Sequence, residues 1–148
     1  TDTKGAGIMN KMFEGYQPWF GRIPQRNTGA LIADRPGKVT TYACVNMADR
    51  GEFFVEIGTE VYNGMVVGER NKRGDLDVNI IREKKLTNVR SSTKDNTVVL
   101  RPPKIMSLDQ CIEFIAEDEL IEITPVNLRI RKMELDVNKR ISQNKKNK

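Results

Sequence analysis

Between positions 84 and 95 the chain reads KKLTNVRSSTKD, and this is the stretch whose side chains have the most chemistry available. Lys84, Lys85, Arg90 and Lys94 supply cations. Thr87, Asn88, Ser91, Ser92 and Thr93 supply hydroxyl and amide groups able to reach phosphate and ribose 2′-hydroxyl oxygens. With so few apolar residues the segment cannot pack on itself, which predicts an exposed loop. The plain reading is a solvated linker between two strands, and composition by itself leans that way. Length, the excess of basic residues and the absence of a partner stripe for them favour contact with RNA, because a connection of this size in a compact domain is usually functional or disordered.

A second basic feature is Asn127-Leu128-Arg129-Ile130-Arg131-Lys132. Alternation puts Leu128 and Ile130 on one face of a strand and Arg129 and Arg131 on the other. Arg129, Arg131 and Lys132 form a secondary basic patch. A charge-protected edge strand, or arginines paired with an acidic helix nearby, outweighs direct RNA contact as the reading of it. Glu117-Asp118-Glu119 has the charge to hold a hard cation, but no glycine turn or ordered spacing of oxygen ligands accompanies it, so a solvated helix end is expected.

Other chemistry is excluded more simply. The chain has no histidine, which removes the commonest general base at neutral pH and the commonest metal ligand together. No GxxxxGK[ST] phosphate loop is present, and Gly5-Ala6-Gly7 is too short for a dinucleotide fingerprint. No catalytic residue, metal ligand or cofactor-binding residue is assigned, and the chain is expected not to be an enzyme by itself. Cys44 and Cys111 lack metal-like spacing and are expected as small buried hydrophobes in a reducing cytosol. The longest apolar runs, such as Val98-Val99-Leu100, fall far short of the roughly 20 residues that span a bilayer, and no signal peptide is visible. No membrane partner is expected.

Charge is unevenly distributed over the 148 residues, whose net charge is +5. Residues 70–104 hold ten basic and four acidic side chains, whereas residues 107–124 hold six acidic and no basic ones. One basic and one acidic surface are therefore expected, the basic one being the candidate for phosphate contact.

The elements that must position these residues read as an α+β domain, mainly short antiparallel strands in a barrel-like sheet with one main helix and the long basic loop. Residues 5–16 read as a strand needing partners from further upstream, the last strand of another domain. Thr28–Asp34 and Lys38–Asn46 read as a hairpin turned by Arg35-Pro36-Gly37. Further strands are expected at 53–57, 60–67, 76–81 and 98–100. Ser107 and Gln110 have capping-box spacing at the head of a helix. Leu108, Cys111, Ile112 and Ile115 form its apolar stripe, which predicts a buried Ile112, and Asp109, Glu113 and Glu117 form its wet stripe. Strands at 120–123 and 128–130 flank a Thr124-Pro125 turn, and residues 133–142 read as a terminal helix. Trp19-Phe20 is expected as an apolar plug between two domains.

Five motifs in order, YNGMVVGE (Tyr62–Glu69), DLDVN (Asp75–Asn79), KKLTNVRSS (Lys84–Ser92), DELIEITP (Asp118–Pro125) and LRIRK (Leu128–Lys132), give a specific match. Together they resemble the C-terminal domain of the TypA/BipA family of ribosome-associated GTPases. GAGIMNKMFEGY (residues 5–16) resembles the final strand of domain V of elongation factor G, which implies the last strand of a ferredoxin-like domain. The resemblance implies three regions: 1–18, the end of that domain V-like unit; 19–138, the family's C-terminal domain; and 139–148, a basic disordered tail. It implies a cytoplasmic parent that hydrolyses GTP with Mg in domains absent here, and that acts in translation, ribosome assembly and stress response. It also implies partners: large-subunit ribosomal RNA, ribosomal proteins, and the acceptor end of an A-site tRNA, which a long loop corresponding to Lys84–Asp95 approaches. Two positions depart from the pattern. Thr93 stands where glycine is frequent and disfavours positive φ, and Lys94 adds a charge.

Overall fold

Ala30-Leu31-Ile32-Ala33 carries no polar side chain, and a strand of that composition has to be covered on both faces. A computed structural model describes residues 13, 15, 16, 26–85 and 100–146. In chain order its elements are β1 (Ala30–Ala33), β2 (Gly37–Lys38), α1 (Thr41–Met47), β3 (Gly51–Phe53), β4 (Glu60–Val61), β5 (Met65–Arg70), β6 (Leu76–Val78), α2 (Leu108–Phe114), β7 (Glu119–Ile123), β8 (Leu128–Lys132) and α3 (Val137–Lys146). A short 3-10 turn, Ala48–Arg50, follows α1.

The main sheet runs β6-β1-β5-β8-β7, with β3 also pairing with β5. All pairs are antiparallel except β1 with β6. Alternation along β1 divides the core. Leu31 and Ala33 join Val39, Ala43, Cys44, Met65, Val67, Val78 and Ile80 on the face covered by α1. Ala30 and Ile32 join Val66, Cys111 and Ile130 on the face covered by α2, with Phe54, Phe114 and Ile121 packed alongside. Both cysteines are buried and free, and burial pushes both thiols up, as befits small inert hydrophobes.

The α+β class is as expected, with two corrections. Among the described residues the sheet is open and mixed rather than barrel-like. The hairpin expected around Arg35-Pro36-Gly37 does not form: β1 pairs with β5 and β6, while Gly37–Lys38 pairs with Glu60–Val61. Residues 41–47, read as strand, are helical. Thr40 caps them, its hydroxyl accepting from the Ala43 N–H, and Ala43, Cys44 and Met47 pack against the sheet at helical spacing. Tertiary burial overrides the strand preference of Tyr42, Cys44 and Val45.

The strand read through 60–67 is broken at Tyr62–Gly64, where Gly64 adopts φ 83° and its backbone meets Leu135; a Cβ there would lie 2.8 Å from the Leu135 Cα. The β7–β8 pair forms about the Thr124-Pro125 turn as read, in the register Glu119↔Lys132 to Ile123↔Leu128. The terminal helix read at 133–142 forms at Val137–Lys146 as α3, and so runs through residues assigned to the disordered tail. Asp136 caps it by accepting from the Asn138 and Lys139 N–H groups. The buried Arg140 guanidinium anchors the helix, donating to the Glu134 and Leu135 carbonyls at 2.9 and 2.7 Å and pairing with Asp77 on β6. The expected strand at 5–16, the Trp19-Phe20 plug and most of the strand at 98–100 lie outside the described residues.

Candidate nucleic-acid interface

The described residues hold two kinds of cation. Arg26, Arg35, Arg131, Lys132 and Arg140 are paired with carboxylates, and their charge is spent within the fold. Lys38, Arg50, Lys72, Arg73, Arg82, Lys84, Lys85, Arg101, Lys104, Lys139, Lys145 and Lys146 are exposed and make no ion pair with a described residue. Only the second kind is available for phosphate.

Lys84 and Lys85 are exposed at the end of a well-held approach. After β6 the chain is tied to the cap of α1: the Thr40 N–H donates to the Ile80 carbonyl at 3.1 Å, and the Thr40 hydroxyl donates to the Arg82 carbonyl at 2.6 Å. Ile80 is fully buried beneath it. On the return side Leu100 packs against the core on the α1 face, and the Lys104 N–H donates to the Phe53 carbonyl at 2.8 Å. Thus the described residues on either side, up to Lys85 and from Leu100, are tied to the body of the domain. Thr87, Asn88, Arg90, Ser91, Ser92, Thr93 and Lys94 lie outside the described residues.

The secondary patch is not one surface. Lys132 is 1% exposed and faces inward beside Ile130. Arg131 Nε lies 3.2 Å from Glu122 Oε1, an ion pair by distance that is not aligned as a hydrogen bond. The other oxygen of Glu122 accepts from the Tyr62 hydroxyl at 2.6 Å; burial, then this bond, push the phenol up. Of the alternatives read from the sequence, pairing with an acidic helix is not what forms; a carboxylate of β7, Glu122, pairs with Arg131 instead. Arg129 sits opposite Glu122 in the register and is half-buried.

Residues 117–119, read as a solvated helix end, are part of the most connected polar site among the described residues. Helix α2 stops at Phe114, and Glu119 begins β7 with its side chain buried. Carboxylates of Asp75, Asp118 and Glu119 converge on the Lys132 ammonium at 2.5, 2.9 and 2.9 Å. Arg26 grips Glu119 with both terminal nitrogens, at 2.9 and 3.1 Å, and stacks 4.2 Å over the Phe114 ring. The place a cation would take is filled by the protein's own lysine. Burial alone would raise the Asp75 carboxyl, but hydrogen bonds from Lys132 and the Ala30 N–H and the charges of Lys132 and Arg26 hold it below the usual range. Burial alone would lower Lys132, but the Glu119 charge and hydrogen bonds to Asp75, Glu119 and Asp118 raise it above the usual range. The sequence held one signal for this site: period-two alternation places Glu119 in phase with Ile121 and Lys132 in phase with Ile130.

The helix α2 begins as read, with a full capping box between Ser107 and Gln110. Its buried side differs from the expected stripe. Cys111 is buried and Phe114 packs against it, while Leu108 and Ile112 are 40% and 55% exposed. Asp109, Glu113 and Glu117 are exposed.

A family model described as the TypA/BipA C-terminal domain matches residues 28–137. The large ribosomal subunit assembly factor BipA of Bacillus subtilis is 46% identical over 147 residues, covering 99% of this chain and 24% of that protein. Its namesake from Synechocystis is 45% identical over 131 residues, covering 88% of this chain and 22% of that protein. The Salmonella typhimurium protein of the same name is 42% identical over 146 residues, 98% of this chain and 24% of its own length. The chain thus spans about a quarter of the length of these relatives.

Proposed function

The chain belongs to the TypA/BipA C-terminal domain family, and from that premise we propose that it is the ribosome-binding module of a GTP-hydrolysing factor that acts on the large subunit. Its contacts run to ribosomal RNA and to the acceptor end of an A-site tRNA, chiefly through charge and shape. The observation that carries this reading is the separation of cations. The lysines that open the 84–95 segment are exposed on an anchored base, with no ion pair to a described residue, while Arg26, Arg131, Lys132 and Arg140 are paired with carboxylates inside the fold. The names of the relatives, large ribosomal subunit assembly factors, support the same partner. Ribosome co-sedimentation across a salt series tests it; binding that ignores salt would count against a phosphate-contacting module.

Nucleotide hydrolysis belongs to the remainder of the parent polypeptide in this reading, with GTP and Mg bound there and not by this chain. Isothermal titration of the chain with GTP and Mg should give no saturable heat.

A second reading has an observation of its own. Leu108 and Ile112 are exposed beside Asp109 and Glu113 on α2, a mixed apolar and acidic face suited to a basic ribosomal protein or another domain of the parent. Nuclease footprinting of ribosomal RNA with and without the chain separates the two: protection of RNA favours the first reading, and binding without protection the second.

A further inference from the structure

The basic segment 70–104 is contiguous in sequence but split in space by β6. Because β6 runs parallel to β1, Arg82, Lys84 and Lys85 follow the end of β6 that lies beside Ala33, whereas Arg70, Lys72 and Arg73 precede the end beside Gly29. The latter group is held firmly. The Gly29 N–H donates to the Lys72 carbonyl at 2.8 Å, and the Asn71 N–H donates to the Arg50 carbonyl at 3.0 Å. The Asn71 side-chain amide donates to the Asp49 carbonyl at 2.7 Å, and Arg70 Nη1 donates to the Gly74 carbonyl at 2.9 Å. Backbones touch here: a Cβ on Gly29 would fall 1.8 Å from the Gly74 oxygen, and Gly74 itself has φ 79°.

This turn presents Lys72 and Arg73, with Arg50 alongside, all exposed and without an ion-pair partner among the described residues. The neighbouring carboxylates do not cancel them. Glu69 is engaged by the Thr28 hydroxyl, which donates to it at 2.6 Å, and lies opposite Glu52 in the β3–β5 register. Asp75 is engaged by the Ala30 N–H and Lys132. Asp49 and Glu52 are the remaining acids beside Arg50, set against the four cations Arg50, Arg70, Lys72 and Arg73.

We propose that the Asn71–Gly74 turn together with Arg50 is a second contact surface for the RNA sugar–phosphate backbone, separate from the 84–95 segment. The proposal rests on the ribosome-binding reading above and deepens it. From Gly74, beside Gly29, to Val78, bonded to Asp34, the chain covers about 13 Å at roughly 3.3 Å per extended residue. That exceeds one screening length at physiological salt, about 8 Å, so the two basic ends act largely as independent electrostatic sites. Their contributions to salt dependence therefore add.

The test compares the wild-type chain with Arg50→Ala/Lys72→Ala/Arg73→Ala, on intact large ribosomal subunits and on protein-free large-subunit RNA, across a salt series. Urea midpoints verify that the exposed substitutions leave the fold intact. The expected result is a log–log slope shallower by roughly 0.7–0.9 for each phosphate no longer neutralised, about two units or more in all, on both targets. Adding Lys84→Ala/Lys85→Ala should lower it further by its own separate amount. An unchanged slope on both targets, with wild type still binding, overturns the second surface and leaves the ribosome-binding reading standing. A shallower slope on intact subunits alone overturns it in favour of a protein contact. Failure of the wild-type chain to bind either target sinks both.

Discussion

Glu119 and Lys132 face each other across the β7–β8 pair, 2.9 Å from carboxylate oxygen to ammonium nitrogen, and both side chains are cut off from solvent. Such a pair is poor evidence of net stabilisation, because desolvation offsets much of the attraction. Its integrity is another matter: removing one partner strands the other.

Lys132→Met should therefore destabilise the chain by about 3–5 kcal/mol, since it leaves Asp75, Asp118 and Glu119 facing one another with Arg26 as the remaining cation. Arg129→Ala, on a half-buried side chain with no ion pair to a described residue, should cost within about 1 kcal/mol. Urea denaturation of both variants checks this. Equal effects would mean that the buried cluster carries no special weight.

The same cluster sets a pH dependence. The Asp75 carboxyl is held below its ordinary 3.8, so the native state gives up a proton that the unfolded chain keeps. Its contribution is present above that ordinary value and is lost as pH falls through the lower native one. Lys132 is held above its ordinary 10.5; its contribution is present below that value and is lost as pH rises through the higher native one. Stability from these two groups should be flat from about pH 5 to about pH 9. Lys132→Met should abolish the alkaline fall attributable to the cluster, measured as urea midpoints across pH; an undiminished fall in the variant points elsewhere.

Changing Lys84, Lys85, Arg90 and Lys94 together to alanine removes about four phosphate contacts, each worth roughly 0.7–0.9 of the log–log salt slope for ribosome binding. An unaltered slope would show that this segment does not carry them.

On α2, Ile112→Ala should cost within about 1 kcal/mol because the side chain is largely in water. Phe114→Ala should cost about 3 kcal/mol, since the ring meets Phe54 edge-on at 5.1 Å and supports Arg26. Comparable losses for the two would restore the stripe read from the sequence. Asp109→Ala/Glu113→Ala should leave both stability and RNA-dependent binding nearly unchanged, as judged by denaturation and co-sedimentation.

Local rules carry furthest where one element decides its own structure. The capping box at Ser107 and Gln110, the β7–β8 pair about Thr124-Pro125 and the burial of Cys44 and Cys111 are all of this kind. They fail where a distant partner decides. Gly37 turns away from β1 because Val61 is there to pair with, and residues 41–47 coil because the α1 face of the sheet needs a cover. Arg26, Asp75 and Lys132 are too far apart in sequence for any local pattern to join them; only the phase of Glu119 with Ile121 hints at a charge turned inward. For the interface, composition singles out the lysines at 84 and 85, but cannot tell that Lys132 is consumed by the fold or that the turn at 71–74 stands at the other end of β6.

The charge cluster also has a place in time. Arg26 and Glu119 are separated by 93 positions, and Asp75 enters from a third region of the chain. Such a site closes only when β1, β5, β8 and β7 are side by side, and the entropy of closing those long loops is lost before the contacts offset it. A site that closes after the folding barrier leaves the rate of folding nearly untouched and acts on the rate of escape from the native state. Lys132→Met is therefore expected to speed unfolding more than it slows folding, as removal of a latch on the lifetime of the folded molecule would.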